Sequence, residues 1–451
     1  MTASDALFGT DGVRGLAGQG ALAPESVERL GIALGEWLEA HGDAGKPALL
    51  GGDTRASRGE ITRALAAGLS RRSIRSIDLG VLPTAALALL IDDYDASCAA
   101  VISASHNPAE DNGIKIFTGH GQKFGDAEAR FVEQRWRAAP PPAAAVRDLR
   151  EEHPEGGERY LARLIAAAGR PDLRGMVVAL DLAHGAAHAV GPELFRRLGA
   201  TVHVIGDRPD GHNINAGCGS LHPEGAAALV ARSGARFGLA VDGDADRSIL
   251  VDEHGKVVDG DGILALVAAD LHAQGRLVGG GVVGTVMSNF GLELFLKRLH
   301  LELVRTPVGD RHVSAALRER GMGLGGEPSG HVIFGADLDY LGDGLYTAVR
   351  VAAILARRQI GLSAALSGFE RAPQANTQVR VLKRPPLDSV PGFKEILSAS
   401  EERLGNQGRV VIRYSGTEPV CRVMVEGADA TLVRTLTDEL AGFLRKAIGA
   451  P

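Results

Sequence analysis

The sequence predicts a multidomain α/β protein, on three observations. Its 451 residues exceed what one hydrophobic core organises, and at about 100 to 200 residues per domain they imply three or four domains. A pattern of apolar run, polar loop, helical period and second apolar run recurs along the chain, as βαβ units do in sequence. The 60 glycines, with only 4% aromatic residues, point to many tight turns and small-residue packing.

Composition narrows the function classes. Hydrophobic residues at 45% and charged residues at 23% exclude a disordered chain. A net charge of -6 argues against a nucleic-acid partner, so any anion site must be built locally. Cys98, Cys218 and Cys421 are far apart and lack metal-ligand spacing, which suits a reducing compartment. Residues 1–9 carry Asp5 and no apolar core, and no run reaches the roughly 18 apolar residues of a membrane span. A cytoplasmic protein with no membrane partner is expected.

The first unit opens on residues 8–15, where glycines around Thr10 and Arg14 leave amides free beside a guanidinium. That suits a phosphate, although alone it is a Gly-rich turn. Periodicity predicts helices over residues 24–40 and 58–71, with strands over 48–52 and 74–79. A further strand ends at Val101-Ile102 and breaks into Ser103-Ala104-Ser105-His106-Asn107-Pro108. Strand ends that spill into polar loops are where α/β proteins place chemistry, so Ser105 is a candidate nucleophile or phosphate carrier; in isolation the pair Ser105-His106 is an ordinary turn. Asn112-Gly113 predicts a turn. The alternation Ile114-Lys115-Ile116 then predicts a strand that turns Lys115 away from its apolar neighbours, toward solvent or chemistry. A helix over residues 126–137 leads to the proline-rich connection 138–143.

The second unit begins near Gly157. Strands are predicted over residues 176–180 and 201–205, a helix over 192–198, and a polar Gly-rich loop over 211–220. A third strand, 237–241, runs into Asp242-Gly243-Asp244-Ala245-Asp246-Arg247. Three carboxylates at every second position can converge on one hard cation, and Mg²⁺ takes such oxygens together with phosphoryl oxygens. The third unit, from about Val258, predicts a strand over 277–286, a helix over 292–299, the loop Thr306-Pro307-Val308-Gly309-Asp310-Arg311, and the turn Gly326-Glu327-Pro328-Ser329-Gly330-His331. Glu327 and Ser329 could accept and donate hydrogen bonds to sugar hydroxyls, or simply form a tight turn. In the last unit, strands over 378–382, 410–412 and 421–425 surround Arg413-Tyr414-Ser415-Gly416-Thr417-Glu418. With Arg413 and Arg422 bracketing it, that loop suits an anion.

Taken in order, residues 8–15, 103–108, 242–247, 326–331 and 413–419 resemble the α-D-phosphohexomutase family over essentially the whole chain. Within it, the opening Phe8-Gly9-Thr10-Asp11-Gly12-Val13-Arg14-Gly15 and the loop 213–220 are similar to the branch acting on glucosamine phosphates. The resemblance implies a four-domain architecture around a central cleft, three similar mixed α/β domains and a smaller α+β C-terminal domain. These would span residues 1–155, 156–257, 258–371 and 372–451. It implies that Ser105 carries a phosphoryl group, and that Asp242, Asp244 and Asp246 hold one Mg²⁺ per active site against it. Arg14, Arg247 and His106 would stand beside that group, with Lys115 and His331 as acid/base candidates. Thr306, Gly309, Asp310, Glu327 and Ser329 would hold the sugar, and Arg413, Ser415, Gly416, Thr417 and Arg422 the phosphate not being transferred. The implied reaction interconverts glucosamine 6-phosphate and glucosamine 1-phosphate, with glucosamine 1,6-bisphosphate as intermediate or activator, on the way to UDP-N-acetylglucosamine. A homodimer is implied as well.

Two departures from the branch stand out: Pro328 between Glu327 and Ser329, which removes an amide and fixes the backbone, and Gly18-Gln19 near the start. The neighbouring alternative is a phosphoglucomutase or phosphomannomutase. A non-catalytic sugar-phosphate binder would have no need of Ser105 and the three aspartates, and all four are present. A phosphatase would release free phosphate, whereas a mutase conserves organic phosphate.

Overall fold

The computed structural model describes residues 7–9, 11–139, 146–415 and 418–449. Four sheets follow one another along the chain. The first contains β1 (Val13–Leu16), β2 (Ala48–Gly52), β3 (Ser76–Val81), β4 (Cys98–Ile102), β5 (Asp111–Thr118) and β6 (Arg150–Glu152), in the order β1-β5-β4-β2-β3-β6. Its centre is parallel, and every residue of β2 and β4 is buried, because helices cover both faces. The helices Pro24–Ala40 and Arg58–Arg71 form where the periodicity places them.

Asn112-Gly113 does not turn the chain; both residues lie inside β5, antiparallel to β1 and β4. Gly113 is there for close approach. A Cβ on it would fall 2.6 Å from Arg14 Cδ and 2.7 Å from Ser103 O. The glycine thus lets β1 and the end of β4 close over the strand that carries Lys115.

The second sheet contains β7 (Val177–Asp181), β8 (Thr201–Ile205), β9 (Phe237–Val241), β10 (Ser248–Asp252) and β11 (Val257–Val258), ordered β11-β10-β9-β7-β8. The third contains β12 (Gly281–Thr285), β13 (Glu302–Thr306), β14 (Leu324–Gly326) and β15 (Val332–Phe334), ordered β13-β12-β14-β15. β12 is shorter than its apolar run predicts, since Gly279 and Gly280 both take positive φ and turn the chain before it. The last sheet is antiparallel: β16 (Gln374–Arg380), β17 (Gly408–Tyr414) and β18 (Val420–Gly427), ordered β16-β18-β17 and backed by the helices Phe393–Leu404 and Ala430–Ile448.

One apolar core runs without interruption from Leu49 to Leu362 through the first three units, whereas the last unit packs Val379, Val423, Leu436 and Leu440 into a core of its own. The first three units are therefore welded together by burial, and the fourth is held by other means. The loops that leave the carboxyl ends of β4, β9, β13 and β14 meet at one cleft, the place where open parallel sheets expose side chains to a ligand.

Candidate active site

β4 delivers the chain into Ser103, and two residues later Ser105 takes a left-handed backbone, φ 53°. Its side chain is almost fully buried, and its hydroxyl donates to Asp242 Oδ2 at 2.5 Å and lies 3.3 Å from His106 Nδ1. Burial and the nearby Arg247 guanidinium hold the His106 imidazole below its ordinary pKa, which favours the neutral ring beside Oγ.

β9 ends in the acidic loop. One carboxylate oxygen from each of Asp242, Asp244 and Asp246 lies within 4.8 Å of the others, and all three residues are buried. Lys115 Nζ donates to Asp244 Oδ2 at 2.7 Å and Asp246 Oδ2 at 3.0 Å, and Thr84 Oγ1 donates to Asp244 Oδ2 at 2.5 Å. Burial works against charge on Lys115, but Asp11, Asp244 and Asp246 outweigh it and hold the ammonium well above its ordinary pKa. Asp242 is pushed up, first by burial and then by the two neighbouring carboxylates, which Lys115 does not directly offset there. Asp244 Oδ1 and Asp246 Oδ1 are buried without a hydrogen-bond partner. Orphaned carboxylate oxygens converging from an all-oxygen set are what a divalent hard cation takes, so these residues fit magnesium.

The third unit closes the other wall. His331 lies with Nδ1 3.6 Å from Asp246 Oδ1 and Nε2 3.5 Å from Asp310 Oδ2; burial lowers its pKa, but Asp246 and Asp310 overcome that and raise it. Glu327 Oε1 accepts from the Gly309 amide at 3.0 Å, joining the two third-unit loops. The resulting cavity, about 350 Å³, is lined by Arg14, Ser105, His106, Arg247, Gly309, Asp310, Glu327 and His331. It shares Lys123, Asp310 and His331 with a larger one, about 660 Å³, which extends past Phe117 and Leu341 along the seam of the first and third units and does not include Ser105.

Other predicted residues are not brought to that cavity. The Thr306 hydroxyl donates to the carbonyls of Gly284 and Pro307, a strand-end role. Ser329 Oγ is buried without a partner outside the lining. Arg413 and Arg422 face each other across β17 and β18, with Arg422 bonded to Glu418, and Ser415 Oγ accepts from the Glu418 amide. Gly416 and Thr417 lie outside the described residues. The expected solvent-facing alternative for Lys115 is corrected: its side chain is 2% exposed, because the loop after β9 packs on the face that alternation turns away from Ile114 and Ile116.

Sequence reasoning missed Arg55, Thr84, Lys123 and Asn215. Lys123 Nζ bonds Asp11 Oδ1 at 2.8 Å and also Asp310, tying the first unit to the third beneath His331. Thr84, the first residue of the short helix Thr84–Leu89, and Asn215, in a loop, are single polar residues without periodic signal. Arg55 left one trace, its place just past a buried strand in Gly52-Asp53-Thr54-Arg55.

Models of the phosphoglucomutase/phosphomannomutase α/β/α domains I, II and III match residues 5–140, 158–255 and 259–372, and that of the C-terminal domain matches 377–443. A phosphoglucosamine mutase of Symbiobacterium thermophilum is 43% identical over 444 residues, covering 97% of this chain and 98% of the relative. The chain belongs to the α-D-phosphohexomutase family. A phosphoglucosamine mutase of Moorella thermoacetica is 44% identical over 447 residues, covering 98% and 99% of the two chains. This phosphohexomutase also shares its fold with a phosphoglucomutase/phosphomannomutase family protein of Burkholderia thailandensis, at TM-score 0.80 and 24% identity over 98% and 97% of the chains. The N-acetylphosphoglucosamine mutase of Aspergillus fumigatus, solved with GlcNAc-6P and magnesium, superposes at TM-score 0.69 and 19% identity over 100% and 97%. The four-unit architecture is that of phosphohexomutases, and the chain is an isomerase-class intramolecular phosphotransferase. Among the described residues no helix is long and apolar enough to cross a membrane.

Proposed function

We propose that this phosphohexomutase interconverts glucosamine 6-phosphate and glucosamine 1-phosphate through a phosphoserine at Ser105, supplying UDP-N-acetylglucosamine synthesis in the cytoplasm. The observation that carries the mechanism is the Ser105 hydroxyl set against Asp242 in a cavity walled by cations from the first three units. The amino-sugar substrate is supported by relatives at 43% and 44% identity that bear that activity in their names.

In the forward half, a sugar hydroxyl oxygen attacks the phosphorus on Ser105, the P–Oγ bond breaks, and Oγ leaves with its electron pair. The proton lost by the sugar hydroxyl is matched by one gained at Oγ. His106, 3.3 Å from Oγ, with Lys115 and His331, whose neighbouring carboxylates favour their charged forms, are the groups placed to exchange those protons. The product of this half is glucosamine 1,6-bisphosphate; turned end for end, it returns its other phosphate to Ser105 by the same bonds in reverse. Asp242, Asp244 and Asp246, with the phosphorylated Ser105, would hold one Mg²⁺, which supplies charge neutralisation at the transferring group. Arg14 and Arg247 offset charge from the protein side, while Gly309, Asp310 and Glu327, which line the cavity, position the sugar. Arg413, Ser415, Gly416, Thr417 and Arg422 grip the distal phosphate as the last unit closes to exclude water. A homodimer is the proposed assembly.

The test is intact mass with peptide mapping after incubation with glucosamine 6-phosphate and Mg²⁺, alongside rates on glucosamine, glucose and mannose phosphates. Exchangeable phosphate on the Ser105 peptide is expected, the glucosamine phosphate is expected to turn over fastest, and Ser105→Ala should lose about 10³-fold or more in kcat with its fold intact. An unphosphorylated Ser105, or near-normal turnover by Ser105→Ala, would sink the mechanism. Faster turnover of glucose or mannose phosphate would sink the substrate assignment.

A further inference from the structure

The loop bearing Ser105 is organised around a residue outside the cleft. Arg55 has a fully buried side chain, and all five of its N–H donors are used. Nε donates to Asp53 Oδ2 at 3.0 Å. Nη1 donates to the carbonyls of Pro108 and, at 3.0 Å, Asp111; Nη2 donates to those of Ser105 at 3.1 Å and Asn107 at 2.8 Å. One guanidinium therefore gathers four carbonyls of the phosphate-bearing loop. The pair reaches Ser105 from its amide side too: Ser105 N donates to Ser103 Oγ at 2.9 Å, and Ser103 Oγ donates to Asp53 Oδ2 at 2.5 Å. The bonds close a ring that begins and ends at Ser105.

Asn215, from the second unit, repeats the contact from the other side. Its Nδ2 donates to the Ser105 carbonyl at 2.9 Å and the Asn107 carbonyl at 3.1 Å, the same two oxygens that Arg55 Nη2 holds. Gly243, inside the acidic loop, completes the enclosure: a Cβ there would stand 2.6 Å from Ser105 O. A serine at φ 53° is in a sparsely populated conformation that persists only where its surroundings impose it. Here the surroundings act on its amide and its carbonyl together, leaving Oγ free to face Asp242.

We infer that Arg55 and Asn215 are positioning residues for phosphoryl transfer, fixing Ser105 by its own backbone from the first and second units respectively. The inference rests on the phosphoserine reading of Ser105. In-line displacement is sensitive to placement, and an error near 1 Å costs about 10²-fold. Lysine at position 55 keeps a charge beside Asp53 but has three donors on a point, not five on a fork, so it cannot hold four carbonyls.

The experiment uses the full-length enzyme and glucose 1,6-bisphosphate as phosphate donor, with quenched-flow mass spectrometry of Ser105 phosphorylation alongside steady-state kinetics per folded molecule. Arg55→Lys should slow phosphorylation of Ser105 and kcat together by about 10²-fold, with KM for glucosamine 6-phosphate within about threefold of the unaltered enzyme. Asn215→Gly leaves the buried Asp53–Arg55 pair in place and glycine accepts the left-handed φ of 59°, so it tests the idea even if the lysine variant does not fold; about a 10-fold loss in both rates is expected. If the unaltered enzyme is phosphorylated on Ser105 and the variants lose thermal stability alone, with phosphorylation rate and kcat unchanged, the residues are structural and the inference falls. If the unaltered enzyme takes no phosphate on Ser105, the phosphoserine reading falls and carries this one with it.

Discussion

Lys115 shows how much one side chain owes to a neighbouring unit. It lies 2.7 Å from Asp244 and 3.0 Å from Asp246 with 2% of its side chain exposed, so removing it strands two buried carboxylates. Lys115→Met should cost on the order of 3–5 kcal/mol in stability, and Mg²⁺ should raise the thermal midpoint of the variant more than that of the unaltered enzyme. Calorimetry with and without Mg²⁺ checks this; equal shifts would remove the lysine from the metal-site balance. The alternation Ile114-Lys115-Ile116 was enough to turn Lys115 away from the core of its own sheet. What waits on that side, the loop after β9, is set by packing between units more than a hundred residues apart in sequence, and a local period carries no record of it. The acidic triad was legible because its ligands are adjacent in sequence. Arg55 was not, because what marks it is four carbonyls, and backbone groups have no letter in a sequence.

At the scale of elements, the helices Pro24–Ala40 and Arg58–Arg71 were legible because each has a solvent face. Gly344–Arg358, which went unpredicted, is buried from Gly344 through Ala352 without a break. It starts at Asp343, whose Oδ1 accepts from the Tyr346 amide at 2.8 Å and whose Oδ2 accepts from Tyr160 Oη at 2.6 Å. Burial pushes this carboxyl up to about 6 from an unfolded value of 3.8, against the pull of its hydrogen bonds. A raised carboxyl favours the folded state's proton, so its ionisation destabilises the fold progressively as pH climbs from about 4 to about 6, by on the order of 3 kcal/mol in all. Asp343→Asn lacks that titration. Urea unfolding across this window should therefore show the unaltered enzyme losing stability relative to the variant; parallel pH curves would rule out the assignment.

At the scale of the whole molecule, four units were legible from repeated strand-loop-helix grammar, but their arrangement around a cleft came only with the family resemblance, since the contacts that set it are long-range. The last unit, with its separate core, is joined to the third through a buried carboxylate. Glu426 accepts from Asn289 Nδ2 at 3.0 Å, from the Phe290 amide at 3.2 Å and from Arg409 Nε at 2.7 Å, while Arg409 also donates to the carbonyls of Val286 and Ser288. Glu426→Ala should leave the Arg409 charge without its carboxylate at that junction, cost about 3–5 kcal/mol, and split thermal unfolding so that the last unit melts first. A single transition at the original midpoint would show that the junction is held elsewhere. Under the proposed phosphoserine mechanism, the enclosure of Ser105 bears on how a newly made enzyme would be primed. With the serine 3% exposed and its segment folded back on Arg55 and Asn215, a protein kinase has no extended strand to grasp. The first phosphate would then come from a donor small enough to enter the cleft, tying the activation of each new molecule to the pool of small phosphate donors around it.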